Sequence, residues 1–399
     1  MKVLICGAGI AGPTLAYWLL QYGFEPTIVE ISPRPRTGGY VIDFWGAGFD
    51  IAEKMGLLPD ITRAGYRLRE LRVVNRNGKR VAGFPVSAFF RMTQGRYVSI
   101  SRSDLAAFMY QKLEGKVETI FGNTIDRIEQ NAEGVRITFS GGATRDFDLV
   151  IGADGLHSRV RELAFGPEDQ FEKYLGYKAA AFQVEGYSPR DELVYILYTE
   201  VGQQVGRFSM RDDRTLFLFT FADADPHVPS DIASQRALLR KRFENSGWEC
   251  PQILDAMDRS NDLYIDRVSQ IRMGPEPGAV ADGRWTRGRV TLVGDAAFCV
   301  SLLAGQGSAL SMIAAYILAG ELHRARGNYT EAFARYESLF APFVLRKQKA
   351  ALRFAGSFAP KSAFSKFLRN RIFDLLAIPG IADLAIGRDL KDKIALPAY

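Results

Sequence analysis

The residues best able to do chemistry in this chain of 399 residues stand in three separated stretches. In the first, Gly7, Gly9 and Gly12 are spaced G-x-G-x-x-G directly after the apolar run 3–6, ahead of a stretch with Leu15, Ala16, Leu19 and Leu20 on one helical face. Each glycine answers a separate steric demand: Gly7 a tight turn, Gly9 the approach of a pyrophosphate to the backbone, Gly12 close packing of helix on strand. Ile10 and Ala11 complete the turn, and the free N–H groups of the helix that follows favour negative charge. Glu30, near the end of the next apolar run, lies 18 residues beyond Gly12. A carboxylate at that place accepts hydrogen bonds from a ribose 2′-hydroxyl. Strand, turn, helix and second strand together make this the dinucleotide-binding fingerprint rather than an ordinary glycine-rich turn.

The second stretch is Asp154-Gly155, at the end of the continuous apolar run 149–153. Ligands bind at the carboxyl ends of parallel strands in doubly wound sheets, so Asp154 is either a ligand contact or a plain Asp-Gly turn. In the third, the run 289–294 ends at Asp295, and Gly305, Gln306 and Gly307 open a long helix. That is a second backbone-rich edge whose helix N-terminus suits an anion. Arg102 closes a short strand from 97. Arg34, Arg36 and Gly38-Gly39 occupy a Pro/Gly-rich loop that either bends over a bound cofactor, neutralising its phosphates, or simply lies on the surface.

Positioning these groups requires an α/β architecture. The pattern predicts a discontinuous Rossmann-like domain over 1–72, 97–170 and 276–328. A second, antiparallel-sheet domain is expected over 73–96 and 171–275, with helices over 329–399. Phe217, Phe219 and Phe221 share one face of a strand by the period-two rule, and that face is either a substrate wall or core. The segment 361–376 is basic and amphipathic; packing across the domain junction is expected for it, with a membrane surface as the alternative.

Composition is that of a globular protein, 47% hydrophobic and 24% charged, and the length exceeds a single core. A net charge of +6 without long basic runs gives a modest bias toward anionic ligands and no expectation of nucleic acid. Three cysteines, an odd number, suit a reducing compartment, so a cytoplasmic protein is expected. A monomer or weak dimer is expected separately. No apolar run of about 18 residues suggests a membrane-spanning helix.

Taken together, Gly7 to Gly12 with Glu30, Asp154-Gly155 within 152–161, and Gly294-Asp295 with Gly305-Gln306-Gly307 resemble the single-component, class A FAD-dependent monooxygenases of the aromatic hydroxylase family. The resemblance covers nearly the whole chain. It implies FAD on the fingerprint, Glu30 at the adenosine ribose, Arg102 near the ribityl and pyrophosphate, and Asp295 on the ribityl chain. Leu302 and the backbone from Gly305 to Gly307 would face the isoalloxazine. Asp154 would serve both FAD and a transient NAD(P)H. The implied reaction is reduction by NAD(P)H, addition of O2 at the flavin C4a, and hydroxylation of a phenolic or polyketide-like aromatic. No protein nucleophile is needed, which fits three histidines, His157, His227 and His323, in no metal or triad spacing. The segment 38–44 and the C-terminal extension look most like the tetracycline-inactivating branch.

Two positions depart from that family's pattern: Phe298 stands where it usually has histidine, and Leu302 where it has proline. Ala309 also replaces a common asparagine. These departures raise an oxidase or dehydrogenase on the same scaffold as the alternative, with a non-catalytic flavin-binding protein as a third reading.

Overall fold

The computed structural model describes residues 1–35, 40–260, 262–274, 284–378 and 394–399. The first apolar run becomes the strand Lys2–Cys6. Val3, Leu4 and Ile5 are fully buried on both faces, as a continuous apolar run in a covered parallel sheet should be. This strand pairs in parallel with Leu149–Gly152 on one side and Glu25–Glu30 on the other. Glu118–Phe121 extends the sheet beyond Glu25–Glu30. Val290–Leu292 extends it in parallel on the other side, with antiparallel Thr286–Arg287 at that edge. The helices Ala11–Gln21 and Gly307–Arg324 pack against each other, with Trp18 and Tyr316 edge to face at 4.9 Å. Ile125–Gln130, Val135–Phe139 and Thr144–Phe147 form a small antiparallel meander beside this sheet.

A second, seven-stranded sheet runs in the order Tyr264–Ile271, Glu172–Glu185, Arg214–Ala222, Gln203–Ser209, Val194–Glu200, Glu70–Val74, Arg80–Pro85. All neighbours are antiparallel except Val194–Glu200 beside Glu70–Val74. The hairpin at Asn77-Gly78 thus supplies the sheet's last two strands, and the strand Glu70–Val74 runs unbroken through the position expected as a boundary, between 72 and 73. Tyr97–Ser101 pairs with Val41–Trp45 in a two-stranded ribbon of its own.

The helices Ile232–Phe243 and Cys250–Arg259 cover one face of the large sheet. Phe217, Phe219 and Phe221 point into that layer, against Phe182, Tyr187 and Phe243. They are core, and the substrate-wall reading of these three rings is corrected. The two helices carry apolar residues enough, among them Leu239, Ile253, Leu254 and Met257, to roof that face completely. The alternate residues Leu216 and Leu218 face the other way, toward Tyr40, Val41 and Tyr66.

Among the described residues two further helices follow, Tyr329–Phe358 and Ala363–Leu376. The second lies on the edge strand Arg80–Pro85, with Phe373 and Leu376 against Phe84. Residues 394–399 return to the helix Gly307–Arg324, where the Tyr399 hydroxyl donates to buried Glu321 at 2.7 Å. Its ring fills the space over Gly320, where a built Cβ would lie 2.1 Å from ring carbon. Among the described residues no helix is long and apolar enough to cross a membrane.

Candidate active site

Three strand ends meet at one edge of the six-stranded sheet. Gly7 N–H donates to Val29 carbonyl, Ala153 N–H to Cys6 carbonyl, and Val293 N–H to Gly152 carbonyl, so the three sequence stretches emerge side by side. Gly7 has φ +109°, and a Cβ there would stand 2.5 Å from the Ala153 carbonyl oxygen. A Cβ on Gly12 would stand 2.0 Å from the Gly7 carbonyl oxygen. Both positions exclude any side chain. Over Gly9 the space is open apart from the Arg102 guanidinium, 3.7 Å from where a Cβ would be.

The Glu30 carboxylate is buried and accepts N–H groups from Ala8 at 2.7 Å and Ser32 at 3.0 Å. The first helix begins after Ile10 without a side-chain cap, and so does Gly307–Arg324 after Gln306, leaving N–H groups at both termini for an anionic ligand. Gly305 adopts the left-handed conformation, φ +64°, with nothing near its α-carbon face. The Asp295 carboxylate lies 3.6 Å from the Cβ position of Gly307. Burial raises its pKa, and nearby Arg102 opposes that rise. Gly9, Arg102, Asp295 and Gly307 therefore form one continuous edge.

Asp154 is differently placed. Its carboxylate accepts the Ser158 hydroxyl at 2.5 Å and the Val160 N–H at 3.0 Å, so both oxygens serve the start of the helix Arg159–Phe165. Its backbone forms the wall against which Gly7 packs. Arg36 lies outside the described residues. Leu302 is half-buried at the junction with the large sheet, packing near Tyr177, Ala179 and Val268. Phe298 turns away from the edge into an aromatic cluster with Trp285 and Phe340. Ala309 meets Gly48, whose Cβ would come within 2.6 Å of the Ala309 Cβ, so a larger side chain would force these helices apart.

Several residues of the site escaped sequence reasoning. A cleft beside Gly305 and Gln306 is lined by Asp43, Trp45, Ala309, Leu310 and Ile313. Asp43 accepts hydroxyls from Tyr97 at 2.7 Å and Ser99 at 2.6 Å. Ile42 and Phe44 are buried, and that alternation was the available signal that Asp43 and Trp45 face the other way. Tyr40 stands between Arg102 and Asp295 electrostatically, its phenol pushed up to about 12, mainly by burial. Fully buried Arg161 ties two stretches together, donating to the carbonyls of Ala296 at 3.0 Å and Leu156 at 2.7 Å and pairing with Glu168 at 2.8 Å.

A parallel sheet ending in a glycine-lined turn, a buried carboxylate fixed by two backbone N–H groups and a second uncapped helix N-terminus, with a large mixed sheet alongside, is the architecture of a flavoprotein. The residues fit FAD: two positions admit the backbone only, Gly9 is open above, and the Glu30 carboxylate beside them is already oriented by two backbone N–H groups. Residues 1–331 match the family described as FAD binding domain, and the chain belongs to it. It is 34% identical over 402 residues to a flavin-dependent monooxygenase of Legionella longbeachae, covering 100% of this chain and 98% of that one. An uncharacterized protein of Mycobacterium tuberculosis is 38% identical over 87% of this chain and 91% of its own length. The crystal structure of the tetracycline destructase Tet(55) superposes with a TM-score of 0.83 at 33% identity, covering 100% of this chain and 98% of that one. The protein is thus an FAD-dependent oxidoreductase among the class A flavin monooxygenases.

Proposed function

We propose that the protein uses NAD(P)H and O2 to hydroxylate a phenolic or polyketide-like aromatic. One oxygen atom would enter the substrate and the other would leave as water, with two electrons taken from the nicotinamide. The observation that supports this reading is the edge of Gly9, Arg102, Asp295 and Gly307, on a chain similar over its whole length to a flavin-dependent monooxygenase. Bound FAD would supply the redox chemistry. The chain's own part is positioning: Glu30 would fix the adenosine ribose, Arg102 the phosphates, and Asp295 the ribityl hydroxyls. Trp45 would offer a ring face to an aromatic substrate. Asp43, held by two hydroxyl donors, would accept a phenolic O–H. Leu302, packed on the large sheet, would help keep water from the reacting atoms.

Three buried free cysteines suit a reducing, cytoplasmic setting. The test is NAD(P)H oxidation and uptake of labelled oxygen with a panel of phenols and fused-ring aromatics. Tetracyclines belong in that panel because Tet(55) shares 33% of its residues with this chain. Substrate-stimulated oxidation with label in the product is expected. Peroxide released in equal amount with oxidised substrate, without label, would favour an oxidase instead. Phe298 lends that alternative no weight, since its ring packs in the core.

A further inference from the structure

The helix Ala363–Leu376 is apolar on the wrong side. Its inner face is already occupied: Phe373 and Leu376 rest on Phe84, and Arg369 donates to Gln204 at 3.2 Å. Its outer face carries Phe364, Phe367, Leu368, Ile372 and Leu375, continued by Ile378, at helical spacing. Phe364 is 73% exposed and Phe367 57%. Isolated exposed apolar residues need no explanation, but a contiguous row two turns long or more marks an interaction surface.

Charge is concentrated at the same place. Between 345 and 378, eight residues are Lys or Arg and a single one, Asp374, is acidic. The excess over the whole chain is only six, so the rest of the molecule carries slightly more acid than base. Lys361 is exposed just before the helix, and Arg346 and Lys349 are exposed on the helix before it. The exposed Arg371 guanidinium lies over the Phe367 ring at 5.3 Å and 3.4 Å from the Asp374 carboxylate, so it adds a charge beside the apolar row that is partly offset locally.

We infer that this face docks on the surface of a bilayer containing anionic lipid, with the helix in the interfacial plane. Apolar side chains would enter the headgroup boundary while the flanking cations meet lipid phosphates. Two-fold pairing of this face with a second copy would set like charges against each other. Nucleic acid offers phosphates but nothing for a row of apolar side chains.

The test uses the full-length holoprotein and vesicles of phosphatidylcholine alone or mixed with phosphatidylglycerol, read by co-sedimentation. Partition into the anionic vesicles should exceed that into the neutral ones by about tenfold at 0.1 M salt and fall steeply at 1 M. Phe364→Ser with Phe367→Ser, and separately Lys361→Glu with Arg371→Glu, should each cut binding about tenfold while melting temperature and flavin content stay unchanged. Equal partition into both vesicle types, or binding indifferent to both pairs of substitutions, would overturn the proposal. So would a dimer in sedimentation equilibrium that the Phe pair abolishes without vesicle binding, which would assign the face to self-association.

Discussion

At Gly12 a single methyl group decides whether the first turn can close. The built Cβ lies 2.0 Å from the Gly7 carbonyl oxygen, and both partners are backbone, so neither can yield cheaply. Gly12→Ala should give a protein with a lowered melting temperature and little bound flavin, read from the ratio of visible to ultraviolet absorbance. Glu30 is a different case, because its carboxylate is held by the Ala8 and Ser32 N–H groups at the place proposed for the adenosine ribose. Glu30→Ala removes the expected ribose acceptor and leaves the Ala8 N–H without its partner. FAD affinity, followed by flavin fluorescence on titration into the apoprotein, should weaken about tenfold or more, the scale of losing a hydrogen bond to a charged group. The spacing of Gly7, Gly9, Gly12 and Glu30 was legible because each residue type meets a local demand. The bonds that the Asp154 carboxylate makes to Ser158 and Val160 were not legible, since only the fold shows them.

Among the elements, the strand Arg214–Ala222 shows what periodicity can and cannot say. Alternation correctly places Phe217, Phe219 and Phe221 on one face, but which face meets the site depends on where the covering helices lie. Phe219→Ala should cost about 3–5 kcal/mol of stability, as for other buried rings, and leave substrate KM little changed in the surviving folded enzyme. Denaturant unfolding beside steady-state kinetics would check this. The turn after Asp154 is held to the strand Tyr264–Ile271 by His157, which bonds Asp266 at 3.1 Å and Glu168 at 3.0 Å. These two carboxylates, Asp266 foremost, raise the imidazole from 6.5 to about 10. Its stabilisation is therefore complete below about pH 6.5 and is lost as pH climbs toward 10. Because the ring is half exposed, solvent tempers the effect. Thermal melts from pH 7 to 10 should fall more steeply for the wild type than for His157→Asn. No sequence pattern links His157 to a strand more than a hundred residues away.

For the whole molecule, the α/β class and the recurrence of cofactor segments along the chain were readable from apolar runs that end in Gly or Asp. The cleft was not, because Asp43 and Trp45 reach it from a ribbon whose partner strand, Tyr97–Ser101, is remote in sequence. Order in the six-stranded sheet carries a consequence for how the protein is made. Leu149–Gly152 has its outer edge unpaired until Val290–Leu292 arrives, and the intervening chain builds most of the other sheet. At about 5–20 residues per second, roughly 7–28 s of translation separates the two strands. Throughout that interval the nascent chain exposes an apolar strand edge beside an unfinished nucleotide fold. Ribosome-bound chains stalled near residue 280 should remain protease-sensitive and bind chaperones, whereas those stalled with residues 1–331 fully outside the exit tunnel should be protected and retain flavin.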